Sequence, residues 1–380
     1  MTNIIKICLL LNNKIKIFAK DNFMKKSIKN SFFCVFLAFF SIFFAFFGIF
    51  SKKIILAEET NTQNVEHFFT HCLIVNSKKA FDKTNFMAKY YDKDCLTSIE
   101  FERILNQLYN KNYCLINANE TFYINNNGMA IKKYVKLPNN KKPLILSIDD
   151  VNYDSKKMNL GMADKIALDD DGKLCSIIDG KCDYNLEFIS ILDNFIQNHK
   201  DFSYNNAKLM LCLTGYDGIL GYRTNNNINE FNKAKKVVEA LKNNGYYFAC
   251  HSYGHYHMKD IADKKFKQEL DLWKNNIEPL IGKTNIYVYP YGEHQFKNND
   301  ESVNLKHKML VDYGFKLFCG VGEKYFFTYY PFKIDKKYQV LFMDRRCLDG
   351  FSLRQNHEIY NVFFDCYDIY DKKNRKVSFY

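Results

Sequence analysis

Little punctuates this chain. Its 380 residues include only 5 prolines, too few rigid turn-setters for a string of small modules. Beyond residue 65 no low-complexity linker and no internal repeat interrupts it, so one large domain is expected. The 12 cysteines form no C-x-x-C pair, which argues against a zinc ribbon or a thioredoxin-type site. After residue 57 no basic block is interleaved with aromatics, so the net charge of +12 does not point to nucleic acid.

The charge is concentrated at the N-terminus. Residues 1–57 hold nine Lys and one Asp, or +8, and the remaining 45 basic and 41 acidic residues leave +4. The stretch "SFFCVFLAFFSIFFAFFGIF" (31–50) is a twenty-residue apolar run with ten Phe, preceded by Lys25, Lys26 and Lys29. A run of that length can span the hydrocarbon core as a helix. The same order of basic and apolar parts also describes a signal peptide, with Ala57 as a cleavage point and Met24 as an alternative start. Cleaved or retained, residues 1–57 predict an extracytoplasmic protein, secreted or held to the membrane by 31–50. Residues 58–65 read as a short linker and 66–380 as the catalytic domain. In an oxidising compartment Cys175 and Cys182, on either side of an Asp-Gly turn, can form a disulfide or remain buried thiols.

Strand-like and helix-like patterns alternate along the rest. "HCLIV" (71–75), "PLILSI" (143–148), "AKLMLCLT" (207–214), "YYFACHS" (246–252), "NIYVYPYG" (285–292), "FKLFCGV" and "YQVLFM" read as buried strands. Between them, "LTSIEFERILNQLYNKNY", "NLEFISILDNFIQNH", "NEFNKAKKVVEALKNNG", "DKKFKQELDLWKNNIEPLIG" and "VNLKHKMLVDYG" read as helices, most with one apolar stripe. Uniformly apolar strands joined by helices imply an α/β fold with a parallel sheet. Two Asp-Gly signals within 154–206 predict a β-hairpin insertion near the rim of the site.

Three chemistry-bearing stretches end predicted strands, where ligand sites of parallel sheets lie. "SIDDVNY" (147–153) carries Asp149 and Asp150, which alternate in a strand but can both face one pocket where the chain turns. "HSYGHYHM" (251–258) carries His251 and His255, four residues apart with Gly254 easing the turn between them. That spacing lets two imidazoles ligate one ion. His257 adds a third imidazole without an evident role. A His, His and Asp set with open positions is a Lewis-acid site, and a second carboxylate beside it can take a proton as water attacks.

"LILSIDDV", "HSYGH" and "YPYG" together resemble the first three motifs of the polysaccharide deacetylases, also called the NodB-homology domain or carbohydrate esterase family four, over roughly residues 65–370. The resemblance implies a distorted (β/α) barrel of the NodB type, with the hairpin insertion after the first motif. It implies Asp149 as the general base, Asp150, His251 and His255 as ligands of a divalent ion (Zn2+, with Co2+ or Mn2+ as alternatives), and Ser252 as the residue orienting the histidine loop. The backbone N–H of Tyr291 would serve the oxyanion. The implied reaction removes N-acetyl or O-acetyl groups from a cell-envelope glycan. An impaired, glycan-binding member of the fold and a metal-dependent hydrolase of a non-acetyl substrate are the alternatives.

This chain also departs from the family pattern. Val151 stands where the family has Gly. Val288 stands where the family has the Arg that partners the base. "MDRRCLDG" offers Arg345 and Arg346 at another strand end, and Arg346 is expected to compensate, with surface charge as the alternative. The late L-x-H motif that supplies the general acid has no match, and "NVFFDCYD" occupies its place. His294 and His357 are the substitutes, while His71 is expected to be structural, with an approach to the site as the alternative.

Overall fold

A computed structural model of the protein describes residues 64–138, 140–294, 305–323, 327–329 and 340–375. The expected N-terminal segment 1–57 and most of the linker 58–65 lie outside the described residues. Among the described residues no helix is long and apolar enough to cross a membrane.

Seven strands form the centre: β1 (Glu66–His71), β2 (Lys142–Asp149), β3 (Met210–Leu213), β4 (Tyr247–Cys250), β5 (Ile286–Val288), β6 (Leu317–Val321) and β7 (Val340–Cys347). Each pairs in parallel with the next. β7 pairs with β1 through Phe68↔Arg346 and Phe69↔Cys347, so the sheet closes on itself. The expected (β/α) barrel is therefore present, with seven strands in chain order around the ring. The connections are helical: α1 (Ser98–Asn110), α2 (Phe188–Asn198), α3 (Ile228–Asn243), α4 (Asp263–Asn276) and α5 (Leu305–Tyr313), with α6 (Gly350–Gln355) after β7. Thr97 and Glu100 form a capping box that starts α1, satisfying backbone donors that a helix start leaves open. On α4, Phe266, Leu270 and Trp273 are buried. Each such side chain contributes on the order of 2 kcal/mol of apolar burial.

The period-2 alternation of the strands sorts side chains into two cores. Leu144, Leu146, Ile148, Leu211 and Phe248 face the helices. Ile145, Met210, Cys212, Ala249, Val288, Leu317, Leu341 and Met343 fill the barrel interior. A small antiparallel hairpin (Phe122–Ile124 with Ala130–Lys132) sends Phe122 and Ala130 into that inner core. Ala118 N–H donates to the hydroxyl of Tyr247, the first residue of β4, at 3.0 Å. The amino-terminal end of the barrel is thus packed with apolar groups, and the chemistry is left to the carboxyl end.

Two expected elements differ in detail. The strand read at "HCLIV" (71–75) instead occupies Glu66–His71, and Cys72, Leu73 and Ile74 are buried loop residues in the outer core. A short apolar run does not distinguish strand from buried loop, whereas "EHFFTH" alternates correctly once the barrel interior is known. The insertion after the first motif is a three-stranded antiparallel sheet rather than a hairpin: Lys165–Leu168, Leu174–Ile178 and Lys181–Asp183. Cys175 and Cys182 are joined there as a disulfide.

Candidate metal centre and active site

Asp149 is the last residue of β2, on the inward parity with Ile145 and Ser147, and it is buried. Asp150 follows with φ +55. This left-handed turn redirects the chain, so the second carboxylate also reaches the mouth of the barrel. Asp150 carries the positive φ, and Val151 instead packs into the outer core, which explains how the chain accommodates Val in place of Gly. The loop is braced from a distance: Leu220 N–H donates to Val151 O (2.8 Å) and Gly221 N–H to Asn152 O (3.0 Å). Arg223 donates to Tyr153 O (2.6 Å) and Asn152 O (3.3 Å). The sequence alone did not reveal the role of Arg223.

His251 follows β4. Its Nδ1–H donates to the carbonyl of Val288 at 2.9 Å, which fixes the tautomer and leaves the Nε2 lone pair for a ligand. The loop returns through Ser252 (φ +58) and His255 (φ +51). Ser252 Oγ accepts from His255 N–H at 3.0 Å, and Gly254 N–H donates to the buried Glu269 at 2.5 Å.

Asp150 Oδ1 lies 3.6 Å from His255 Nε2 and 3.9 Å from His251 Nε2. One donor atom from each of the three residues falls within 4.8 Å of the others. A tetrahedral ion with bonds of about 2.1 Å has donor–donor edges of about 3.4 Å, so small shifts would seat one. Asp150 Oδ1 is buried without a hydrogen-bond partner in the protein, an unfavourable state that a cation would relieve. Burial holds the His255 imidazole down to about 4, against the pull of Asp150, so it is neutral at physiological pH. Burial pushes the Asp150 carboxyl up, but the facing His255 and His251 hold it below the usual carboxylate range. Two imidazoles and one carboxylate are the donor set that a divalent ion of the zinc type favours.

Asp149 lies beside this set, with Oδ2 3.6 Å from His251 Nε2. Arg345 grips it with a planar fork, Nη1 to Oδ1 at 2.7 Å and Nη2 to Oδ2 at 2.9 Å. The guanidinium is buried, bonds Gly320 O at 3.4 Å, and lies 4.0 Å from the Phe69 ring centroid. Burial alone would raise the Asp149 carboxyl, but Arg345 and then His251 hold it far below the usual range. Beneath, His67 bonds Ser147 Oγ at 2.9 Å, and burial keeps its imidazole neutral. The expectation for Arg346 is corrected here. Residue 345 shares the inward parity of Leu341 and Met343, so Arg346 points outward and pairs with Glu66 at 3.2 Å. Val288 is part of the inner apolar core. The cation on Asp149 therefore comes from β7 rather than β5.

His71, expected to be structural, ends β1 in register with Asp149. It lines a small pocket with Asp150, Asn152 and Tyr153. Its Nδ1–H donates to the carbonyl of Asp94 at 2.8 Å, which leaves Nε2 for the pocket. The sequence clue was its parity with His67 and Phe69, hidden by the misplaced strand. His294 packs edge-on to Phe342 at 5.8 Å. His357 bonds Arg354 O and packs on Tyr367. Tyr291 sits in the turn after β5 with φ +56. Its half-exposed ring lies 4.7 Å from that of His255 and stacks on His257 at 3.8 Å. His257 in turn bonds Glu293 at 3.0 Å. The third imidazole thus supports the wall formed by Tyr291.

Residues 219–313, which include the histidine loop and the Tyr291 turn, match the family model described as Polysaccharide deacetylase. No curated protein sequence matches the chain. Among solved structures it is similar to Streptococcus pyogenes deacetylase PplD in complex with acetate, at 13% identity and TM-score 0.43, covering 77% of this chain and 97% of that one. It is also similar to the Bacillus anthracis protein BA0330, at 13% identity and TM-score 0.41, covering 76% and 66%. A third is a family 4 carbohydrate esterase from Streptomyces lividans in complex with acetate, at 18% identity and TM-score 0.24, covering 36% and 56%. Over residues 219–313 the chain resembles the polysaccharide deacetylases.

Proposed function

We propose that this protein is a metal-dependent hydrolase that removes acetyl groups, N-acetyl in the first place, from an extracytoplasmic glycan. The observation that carries the reading is the convergence of Asp150, His251 and His255 beside a second, permanently ionised carboxylate at the open end of the barrel. A divalent ion held by those three residues supplies Lewis acidity toward the acetyl carbonyl and the attacking water.

The chain's own groups account for the protons. Hydrolysis forms a C–O bond from water to the acetyl carbon and breaks the C–N bond, releasing acetate and an amine. Asp149 takes the proton of the attacking water, and Arg345 keeps that carboxylate ionised and aimed. His71, anchored through Nδ1–H, acts in its imidazolium form: it gives its Nε2 proton to the leaving nitrogen, and the proton that Asp149 took from water returns to it afterwards. The backbone at Tyr291 is the group we assign to the developing oxyanion. Arg345 and His71 supply the two functions whose apparent loss from the sequence favoured an impaired, glycan-binding protein. The apolar run 31–50 and the Cys175–Cys182 disulfide support action outside the cytoplasm.

The test is acetate release from acetylated chito-oligomers and peptidoglycan with added zinc, cobalt or manganese. Wild type should release acetate. Asp149→Asn should bind the ion but lose about 10²- to 10⁴-fold in kcat, while His251→Ala should lose both binding and activity. Metal binding by wild type with no acetate from either glycan would refute the deacetylase reading.

A further inference from the structure

Burial of a complete arginine network outside the candidate metal ligands calls for an explanation. Arg375, near the C-terminus, is buried, and its guanidinium is fully engaged. Nε and Nη2 bond the two carboxylate oxygens of Glu100 at 2.8 and 2.7 Å. Nη1 bonds Asp92 O at 2.8 Å and Asp92 Oδ1 at 3.1 Å, and Nη2 bonds Cys95 O at 2.6 Å. Arg354, next to Tyr370, adds a second ion pair to Asp92 at 2.9 Å. Gly350 permits the close approach, because a Cβ there would lie 2.0 Å from Asp92 O and 2.7 Å from Arg375 Nη1.

The carbonyls that Arg375 holds, at residues 92 and 95, bracket the carbonyl of residue 94. That middle carbonyl accepts the Nδ1–H of His71. Asp94 ends the short helix Ala88–Asp94, whose last carbonyls have no partner within the helix, so the aim of Asp94 O depends on how firmly this helix end is held. We propose that Arg375 is a positioning residue for the proton donor: it clamps residues 92–95 so that Asp94 O orients the His71 imidazole toward the pocket. This rests on the deacetylase reading for its catalytic consequence, but the geometric part stands independently. It gives the C-terminal segment a role in the reaction, although Arg375 touches no substrate.

The experiment uses the full chain in two arms. In the kinetic arm, Arg375→Gln should lower kcat for acetate release about 10- to 100-fold, the range expected when a reacting group is misaimed by about an ångström. KM and zinc affinity should stay at wild-type values. In a His71→Ala background the same substitution should change kcat no further. An equal fall in both backgrounds would show a purely structural role and overturn the proposal. In the second arm, long-range ¹⁵N spectra of histidine-labelled protein report the His71 tautomer directly. Wild type should show Nδ1 protonated throughout, with or without a second proton on Nε2, and Arg375→Gln a fraction in which Nδ1 has lost its proton. An unchanged His71 signal would overturn the proposal even if wild type released no acetate. If Arg375→Gln does not fold, Arg375→Lys tests the same point: it keeps the charge but lacks the fork that reaches Glu100 and Cys95 O together.

Discussion

The two flanks of the candidate metal centre are built differently. On one flank, His251, Ser252, Gly254 and His255 come from five consecutive residues, and the loop is closed by its own Ser252 Oγ to His255 N–H bond. On the other, Asp149 is gripped by an arginine 196 positions away, and His71 is held by a carbonyl 23 positions away. That carbonyl's segment is fixed by Arg375, 283 positions from its Asp92 partner. The ligand flank is encoded locally. The flank of Asp149 and His71 exists only once the barrel has closed, because its partners lie far apart in the chain.

Breaking the distant flank should have the largest effect. Arg345→Met leaves the buried Asp149 carboxylate without its cation. Loss of one partner of a buried pair costs about 3–5 kcal/mol, visible as a lower urea midpoint, and the misaimed base should lower kcat sharply. Adding Asp149→Asn removes the uncompensated charge, so the double variant should be more stable than Arg345→Met alone. A single Arg345→Met variant with wild-type stability would show that the bidentate contact does not matter, and the contrast between the flanks would fail.

The local flank should yield more gently. Ser252→Ala removes one hydrogen bond to His255 N–H, worth about 1 kcal/mol, and loosens the ligand it orients. Zinc affinity should fall about tenfold, the low end for groups that support a ligand. At saturating zinc, kcat should return close to wild type, which isothermal titration and kinetics at several zinc concentrations would separate. A fall in kcat that zinc does not restore would place Ser252 with the proton-transfer groups instead.

This contrast also explains what the sequence revealed. The barrel, its helices and the Asp150, His251 and His255 set were legible, because each depends on period or spacing within a few residues. The sequence does not separate Arg345 from Arg346, because neighbouring strand residues differ only in which face they take, and the register with β1 and β6 decides that. The inward parity of His71 is not legible from an apolar run at 71–75, because the strand ends at His71. Arg223 and Arg375 act on backbone carbonyls, contacts that leave no pattern in the chain.

Glu187 offers the smallest effect and separates folding from chemistry on the distant flank. It is fully buried just before α2, where its Oε1 accepts from Leu73 N–H at 3.1 Å. Burial pushes its carboxyl up to about 8, more than its bonds to Leu73 and Phe188 N–H pull it down, with Asp183 adding to the rise. Unfolded, the same carboxyl titrates near 4.3. The folded form therefore binds a proton that the unfolded form releases across this window, so the Glu187 contribution is complete below about pH 4.3 and is lost as pH rises through about 8. Glu187→Gln keeps the hydrogen-bonding shape without the titration. Its melting temperature should fall less than that of wild type between pH 5 and 8, while kcat at fixed pH stays the same. Parallel melting curves for the two proteins across that range would mean that Glu187 is ionised in the folded state, and that the distant flank tolerates a buried charge that Arg345 does not neutralise.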